Sequence, residues 1–578
     1  VRARRALAAL AACVALAACV ALAGCEGPTE PGAPDAWSRD AALVLRDDAG
    51  APEAGMSDDA GPSDAGASAL DAASADAGAG PDRRWEDEVV YFVMTDRFAN
   101  GDPGNDGDAT CTDPASPRLF HGGDLDGLRA HLDHVAELGA TAVWITPVQA
   151  QVGRRGTRCG FHGYWADLAD PDDQAIEPRL GGAPAIDRLL ADAHARGIRV
   201  MADVVVNHAG YGARLTTTRP EWFHDPATCA SLGDPTVTCP LANLPDLAQE
   251  RPEVARYLVG QTRRFLERFP FDALRVDTVK HVPPEFFRDA WMPAVYDARG
   301  DIHVIGELFD DARYEPYDTY LDAGFDALLD FVLRRALVTS LAQRGSLDAV
   351  ATAIQAPVDR WGIARARLRG TMIDNHDVSR FLSDTSAGMS ADEQRDRLTL
   401  ALGVIFTSPG VPYVYYGTEV GMLGAASADD DNRRDLPTWA LGPEPWPDAP
   451  AGHLPDPART RRILRALSSL RAATPALRRG GYAELWRPGG GPRVLAYYRH
   501  DGESRVVVAL HAGSGALTSF ATTWARNPGV PATDRAAWPD GTVLVDRLGL
   551  APGAAARIEG GRVVLDLPPR SIAVFGPR

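Results

Sequence analysis

A chain of 578 residues, 45% hydrophobic and 7% aromatic, has the material for a large buried core and does not have the composition of a disordered polymer. Its formal net charge is −19 and no basic cluster occurs beyond the first few residues, which excludes a nucleic-acid surface built on neutralised phosphates.

In chain order, Arg2, Arg4 and Arg5 precede the run ALAALAACVALAACVALAG, the charged and apolar regions of an export signal. Leu22-Ala23-Gly24-Cys25 closes residues 1–25 and resembles the bacterial lipobox. The resemblance implies a lipidated Cys25 and a protein exported and held by lipid on a bacterial membrane, periplasmic or at the cell surface. A membrane-spanning anchor is the competing reading, since the run approaches the roughly 20 residues a span needs. Residues 26–84 are mostly Ala, Asp, Gly, Pro and Ser, with too few large apolar side chains to offset the entropy of ordering, and read as a tether. They hold 13 acidic and 4 basic residues, so about half of the net charge lies here and says little about what the folded body binds.

Beyond the tether, apolar runs alternate with amphipathic stretches: EVVYFVMTDRF, DLDGLRAHLDHVAELG, TAVWITPV, AIDRLLADAHARG and IRVMADVVVNH. This alternation predicts βα units around a parallel sheet. Strands are expected near 89, 141, 199, 272, 302, 326, 370 and 411, and eight of them predict an α/β fold, a (β/α)8 TIM barrel over residues 85–479. An open doubly wound sheet would carry a Gly-rich phosphate turn after its first strand, and none follows here. About 60 residues separate the third strand from the fourth, which predicts a small inserted domain over about 209–250. From 480 to 578, VLAYYRH, SRVVVALHA, GTVLVDRL and RSIAVFG with Gly and Pro turns predict a C-terminal antiparallel β domain. Outside the signal and Cys25 remain Cys111, Cys159, Cys229 and Cys239. An even number in an exported protein suggests two disulfides: Cys229 with Cys239 closing a short loop, and Cys111 with Cys159 as the remaining pair.

Three carboxyl groups stand after strand-like runs: Asp277 in FDALRVDTVKH, Glu307 in IHVIGELFD and Asp377 in GTMIDNHD, with IRVMADVVVNH bringing Asp203, Asn207 and His208. In a barrel the C-terminal strand ends carry the chemistry. Retaining glycosidic hydrolysis needs a nucleophilic carboxylate and a carboxylic acid about 5 to 5.5 Å apart, a spacing that adjacent strands about 4.8 Å apart can supply. Arg275, two residues before Asp277 on the same face, is placed to keep the nucleophile ionised, while Glu307 at an apolar strand end is the one held protonated.

These stretches resemble the conserved regions of the α-amylase family of retaining glycoside hydrolases over about residues 86–578: DVVVNH, LRVDTVKH, GELFD and IDNHD, with LPDL (244–247), FHGYW (161–165) and GVPYVYYGTE (410–419). The resemblance implies Asp277 as nucleophile, Glu307 as acid/base and Asp377 as transition-state stabiliser. It implies Arg275, His208, His376, Tyr164, Trp165 and His162 at the sugar next to the scissile bond, Lys280 and His281 on the leaving-group side, and Asp429 with Arg433 at the opposite end. It implies Ca2+ held by Asn207, Asp246 and the His281 carbonyl, oxygen donors suited to a hard cation. TDRFANGDPGND with HGGD is similar to the segment that holds a further calcium in cyclodextrin glucanotransferases, which carries Asn100, Asp102, Asn105, Asp106, Gly122 and Asp124 over as ligands. Asn100 stands where that group has Asp, and His121 where it has Cys.

The expectation is a monomeric α-amylase cleaving internal α-1,4 bonds of starch and maltodextrins, with an α-glucan as its partner, no nucleic acid, and membrane contact through the lipid anchor only. A cyclodextrin glucanotransferase or maltogenic transglycosylase shares every catalytic residue; the single C-terminal β domain favours hydrolysis, because glucanotransferases typically add two more. A glucan-binding lipoprotein without catalysis would have no use for the three carboxylates together.

Overall fold

Eight strands, β1 (Val90–Val93), β2 (Ala142–Ile145), β3 (Arg199–Val204), β4 (Ala273–Val276), β5 (His303–Gly306), β6 (Ala327–Leu328), β7 (Gly370–Thr371) and β8 (Val411–Tyr415), pair in parallel in the order β6-β5-β4-β3-β2-β1-β8-β7. A single parallel bridge, Leu329 to Gly370, joins the two ends, so the sheet closes as a (β/α)8 barrel. The strands are buried along almost their whole length, which is why they read as continuous apolar runs rather than alternating ones. The computed structural model describes residues 83–427, 430–489, 491 and 493–577; the expected signal, Cys25, the tether as far as 82 and Asp429 lie outside the described residues. The chain divides into two units, Val1–Ala69 and Leu70–Arg578, and everything described belongs to the second. Among the described residues no helix is long and apolar enough to cross a membrane.

Arg83, within the range expected for the tether, is bonded to the folded body. Arg83 Nε donates to Glu88 Oε1 at 2.7 Å and Nη2 to the Thr141 carbonyl at 2.7 Å. The Glu88 side chain is fully buried, and Arg83 together with Arg199, whose Nη1 lies 3.0 Å from Glu88 Oε1, supplies the cations that a buried carboxylate requires.

Helices cover the barrel outside. Pro252–Arg268 buries Val254, Leu258, Thr262, Phe265 and Leu266, a stripe at helical spacing, and Pro252 occupies its first turn, where a missing N–H costs nothing. Each fully buried Leu or Phe of such a stripe contributes about 1.5–3 kcal/mol. Ala391–Thr407 presses on the C-terminal domain, and Gly403 is required there: a Cβ at this position would lie 2.3 Å from Ile572 Cδ1.

That domain is an eight-stranded antiparallel sheet in the order β12-β15-β14-β13-β16-β11-β10-β9. Its strands are β9 (Gly481–Trp486), β10 (Val494–Asp501), β11 (Ser504–His511), β12 (Leu517–Ala521), β13 (Val543–Asp546), β14 (Ala555–Glu559), β15 (Arg562–Leu567) and β16 (Ser571–Gly576). One face builds its own core around Val507, Trp524, Trp538, Leu565 and Phe575, while Leu495, Val508, Ile572 and Val574 join the barrel's core. The structure joins Cys111 to Cys159 and Cys229 to Cys239.

Candidate active site

β4 and β5 run side by side with Val276 opposite Gly306, so Asp277 and Glu307, the next residue on each, emerge next to one another at the C-terminal rim. Backbone bonds continue the ladder past the strand ends: Asp277 N donates to Val204 O and Glu307 N to Val276 O, each at 2.9 Å. Asp377 arrives from the loop after β7, its N–H held by Asn375 Oδ1 at 2.8 Å.

Arg275 is the hub. It is fully buried, and its Nη1 donates to Asp277 Oδ1 at 2.7 Å and to both Asp203 oxygens at 2.9 Å. Its Nη2 approaches Glu307 Oε1 at 2.9 Å but finds no hydrogen-bond partner in that geometry. The guanidinium thus hydrogen-bonds Asp277 and is ion-paired with Glu307. Trp144 passes beneath it, the ring centroid 5.1 Å from the guanidinium carbon. Asp203 accepts two further bonds, from Tyr164 Oη at 2.7 Å and Trp144 Nε1 at 3.1 Å. Burial pushes the Asp203 carboxyl up, against the pull of Arg275.

The three rim carboxyl groups differ in environment. Burial raises Glu307 well above the ordinary range, Asp277 and Asp377 add to this, and Arg275 with the Thr278 N–H, 3.0 Å from Oε2, opposes it. Glu307 is therefore the one of the three whose protonated form the site favours most. Asp377 goes the other way. Desolvation would raise it, but the positive charge around it outweighs this and holds the open-sided carboxyl at about 2. That charge comes from His376, itself pushed down to about 3 by burial and so charged only in acid, and from Arg433 and Arg275, which carry it at neutral pH as well. Arg433 Nη2 donates to Asp377 Oδ1 at 3.0 Å and its Nε to the His376 carbonyl at 2.8 Å.

The expected sugar-contacting residues gather around these groups. Tyr164 stacks on His376 with centroids 5.2 Å apart. Gly163 turns the chain into that position with φ +91°, and a Cβ there would stand 2.5 Å from the Pro147 carbonyl oxygen. His208 is buried with Nε2 3.2 Å from the Tyr164 carbonyl oxygen, and His162 is buried with its ring 5.7 Å from that of Tyr164. Trp165 stands one layer back, edge-on to His162 and Tyr211. Lys280 Nζ lies 3.5 Å from Asp310 Oδ2, and His281 Nδ1 lies 2.8 Å from the Thr236 carbonyl oxygen. Of the pair expected at the opposite end, Asp429 is outside the described residues, and the carboxylate beside Arg433 is Asp430, with Oδ1 3.4 Å from Nη1 and Oδ2 2.9 Å from Arg158 Nη1. Asp203 stood in the DVVVNH stretch without a role, although an acid on a buried strand next to a buried arginine is a signal that it has one. Asp430 hides in a run of three aspartates, and Arg158 gives no local signal.

Among the described residues no three His, Cys, Asp or Glu side chains converge to hold a metal ion. The two expected calcium sites differ in what they offer. At the first, Asn207 Oδ1 is buried without a hydrogen-bond partner, and Asp246 presents a buried carboxylate that His224 Nδ1 approaches at 2.7 Å. At the second, Asp124 is already engaged by four donors, the N–H groups of Gly101, Asp102 and Gly127 and Asn105 Nδ2, while Asn100 Nδ2 donates to Asp106 Oδ1 at 2.9 Å. Only Asn105 Oδ1 is left buried and unpartnered there, and a Cβ on Gly122 would fill the space between Asn100 and Asp106.

With this geometry in place, comparison with known proteins is specific. The family model described as the α-amylase catalytic domain matches residues 92–225 and 237–441. A β/α-amylase of Paenibacillus polymyxa is 32% identical over 419 residues, 70% of this chain; the match spans 32% of that protein's length. An Anoxybacillus α-amylase superposes with a TM-score of 0.70 at 29% identity, covering 86% of this chain and 99% of that one. A cyclomaltodextrin glucanotransferase described as having a three-domain ABC distribution superposes with a TM-score of 0.69 at 26% identity, covering 84% and 98%.

Proposed function

The chain belongs to the α-amylase family of glycoside hydrolases, and we propose that within it the protein is an α-amylase, hydrolysing internal α-1,4-glucosidic bonds of starch and maltodextrins with retention. The observation that carries this reading is the pair of carboxyl groups at adjacent strand ends, Asp277 after β4 and Glu307 after β5, both held by Arg275, with burial raising Glu307. On this reading Asp277 attacks the anomeric carbon while Glu307 gives its proton to the departing glycosidic oxygen, leaving a glycosyl ester on Asp277. Glu307, now ionised, takes a proton from water, whose oxygen displaces Asp277 and restores the starting configuration. Asp377, held ionised by its arginines, faces the positive charge that develops on the sugar.

Ca2+ forms part of the reading at the first site. Asn207 Oδ1, the Asp246 carboxylate and the His281 carbonyl would hold it, and its chemistry there is structural, oxygen coordination of a hard cation between barrel and inserted loop. The orphaned Asn207 oxygen fits that role. The donors of the second segment are largely spent on its own turn, and there the fit rests on Asn105 Oδ1 alone. Export and lipidation at Cys25 belong to the same proposal, and in a Cys25→Ser precursor the activity would move from the membrane fraction to the soluble one.

Glucanotransferase activity is the second reading. A glucanotransferase described as three-domain superposes over 84% of this chain and 98% of its own, which supports keeping this reading beside hydrolysis. Products from soluble starch followed over time separate the two: a spread of linear oligosaccharides from the first minutes is the expected result, and early cyclic products would overturn it in favour of transfer.

A further inference from the structure

The family match breaks between 225 and 237, leaving residues 226–236 uncovered. Most of the loop closed by Cys229–Cys239 falls in that gap. The loop is locally built: Thr238 Oγ1 donates to the Cys229 carbonyl at 2.9 Å, Asp234 caps the short helix Pro235–Thr238 through the Thr236 N–H at 2.9 Å, and that helix packs on the turn Val279–His281. The contact is specific at one point, where His281 Nδ1 meets the Thr236 carbonyl oxygen at 2.8 Å. A carbonyl only accepts, so the ring must carry its proton on Nδ1, and when neutral it presents Nε2 as an acceptor.

The turn 278–281 belongs to the acid's side of the cleft. Thr278 N–H binds Glu307 Oε2, Val279 N–H binds the Glu307 carbonyl at 3.0 Å, and Lys280 reaches the Phe309 carbonyl at 3.4 Å. Since Glu307 protonates the leaving oxygen, sugar beyond the scissile bond lies along this wall. Phe309, 45% exposed, borders it, and Leu232, 55% exposed, belongs to the loop itself.

We propose that the disulfide-closed loop Cys229–Cys239 is a specificity element for the leaving-group side of the cleft, acting through the Thr236 carbonyl to fix the tautomer and direction of the His281 ring. It rests on the α-glucan reading of the site and concerns the acceptor sugars. The loop is a positioning element, since it acts through His281 rather than on the reacting atoms. Reaction at the scissile bond needs only the rim carboxylates, so a substrate with no sugar beyond that bond should be indifferent to the loop.

The test compares two substrates: an aryl maltotrioside, whose leaving group is a phenol, and maltohexaose, which extends along the wall. In Cys229→Ser/Cys239→Ser, kcat/KM for maltohexaose should fall by about 3- to 10-fold, the size of one hydrogen bond, chiefly through KM. Turnover of the aryl substrate should hold within about twofold, and the linear product pattern should shift. Pro235→Gly, which keeps the disulfide but frees the turn that aims Thr236, provides the second variant should the first not fold, and should act in the same direction. An equal fall on both substrates would reduce the loop to scaffolding, and no change on either would remove its role; each overturns the inference. Wild-type protein inactive on both substrates would instead overturn the functional reading itself.

Discussion

Arg433 and Asp377 form an ion pair, Nη2 to Oδ1 at 3.0 Å, between an arginine from the loop after β8 and the carboxylate after β7. Through it Arg433 helps to set the charge state of the proposed transition-state group. In Arg433→Met one of the cations that hold Asp377 at about 2 is gone while Arg275 remains, so the carboxyl rises from that value. A lowered carboxyl is ionised above its own pKa and loses activity as pH falls through it, so the acid limb of kcat/KM should move up by about one unit or more. A profile shifted in height alone would mean that Arg433 contributes contact and not charge.

Glu307 supplies the opposite limb. Burial raises its pKa, and a raised acid is active below that pKa and loses activity as pH rises through it. Glu307→Gln should lower kcat on starch by about 10²- to 10⁴-fold and erase the alkaline limb. The loss should be much smaller for aryl glycosides with acidic phenols, whose departure needs little protonation. Equal losses on both would assign Glu307 a role other than proton donation.

The placement of Glu307 and Asp277 at adjacent strand ends is legible in the sequence because both follow apolar runs of the kind a doubly buried parallel strand produces, and Arg275 stands two residues before Asp277 on one face of β4. Even β6 and β7, two residues each, betrayed themselves through the alternation around them. What escaped depends on partners distant in the chain. Asp203 gains its meaning from Arg275, 72 positions on, and from Trp144 and Tyr164. Arg158 meets Asp430 across 272 positions, and no local pattern distinguishes Asp430 from its two neighbours. Composition places Arg83 in the tether, because composition cannot register that Glu88 is buried and in need of a cation.

Calcium at the Asn207 site should appear as stability. A ligand that binds only the folded state at a hundredfold its Kd adds about 2.7 kcal/mol. Chelation should therefore lower Tm reversibly, with Ca2+ restoring it, and Asn207→Ala should lower Tm in Ca2+ while abolishing the chelator's effect. A Tm indifferent to chelator in the wild type would remove the ion from the account, leaving the orphaned Asn207 oxygen unexplained.

Arg471 tests how the last helices before the C-terminal β domain are fastened to the barrel. The side chain is completely buried, and its donors go to main-chain carbonyls: Phe406 at 3.2 Å, Leu477 at 3.0 Å, Glu86 at 2.9 Å and Gly410 at 2.8 Å. Those acceptors come from the first described helical turn, from the last turn of Ala391–Thr407, from the entry to β8 and from the helix Pro475–Arg479, just before β9. One guanidinium therefore satisfies acceptors that the fold has already taken out of water. Arg471→Met keeps the volume and leaves all four carbonyls short of a donor, so unfolding stability should fall by about 3 kcal/mol or more. Arg471→Lys retains a charge without the planar fork and cannot reach four directions at once, so it should be nearly as damaging. Denaturant midpoints for the two variants check this, with kcat on an aryl maltotrioside as control: activity of the folded fraction should be unchanged, because Arg471 touches none of the rim carboxylates. A Lys variant as stable as wild type would show that the buried charge, rather than the directed bonds, is what the junction uses.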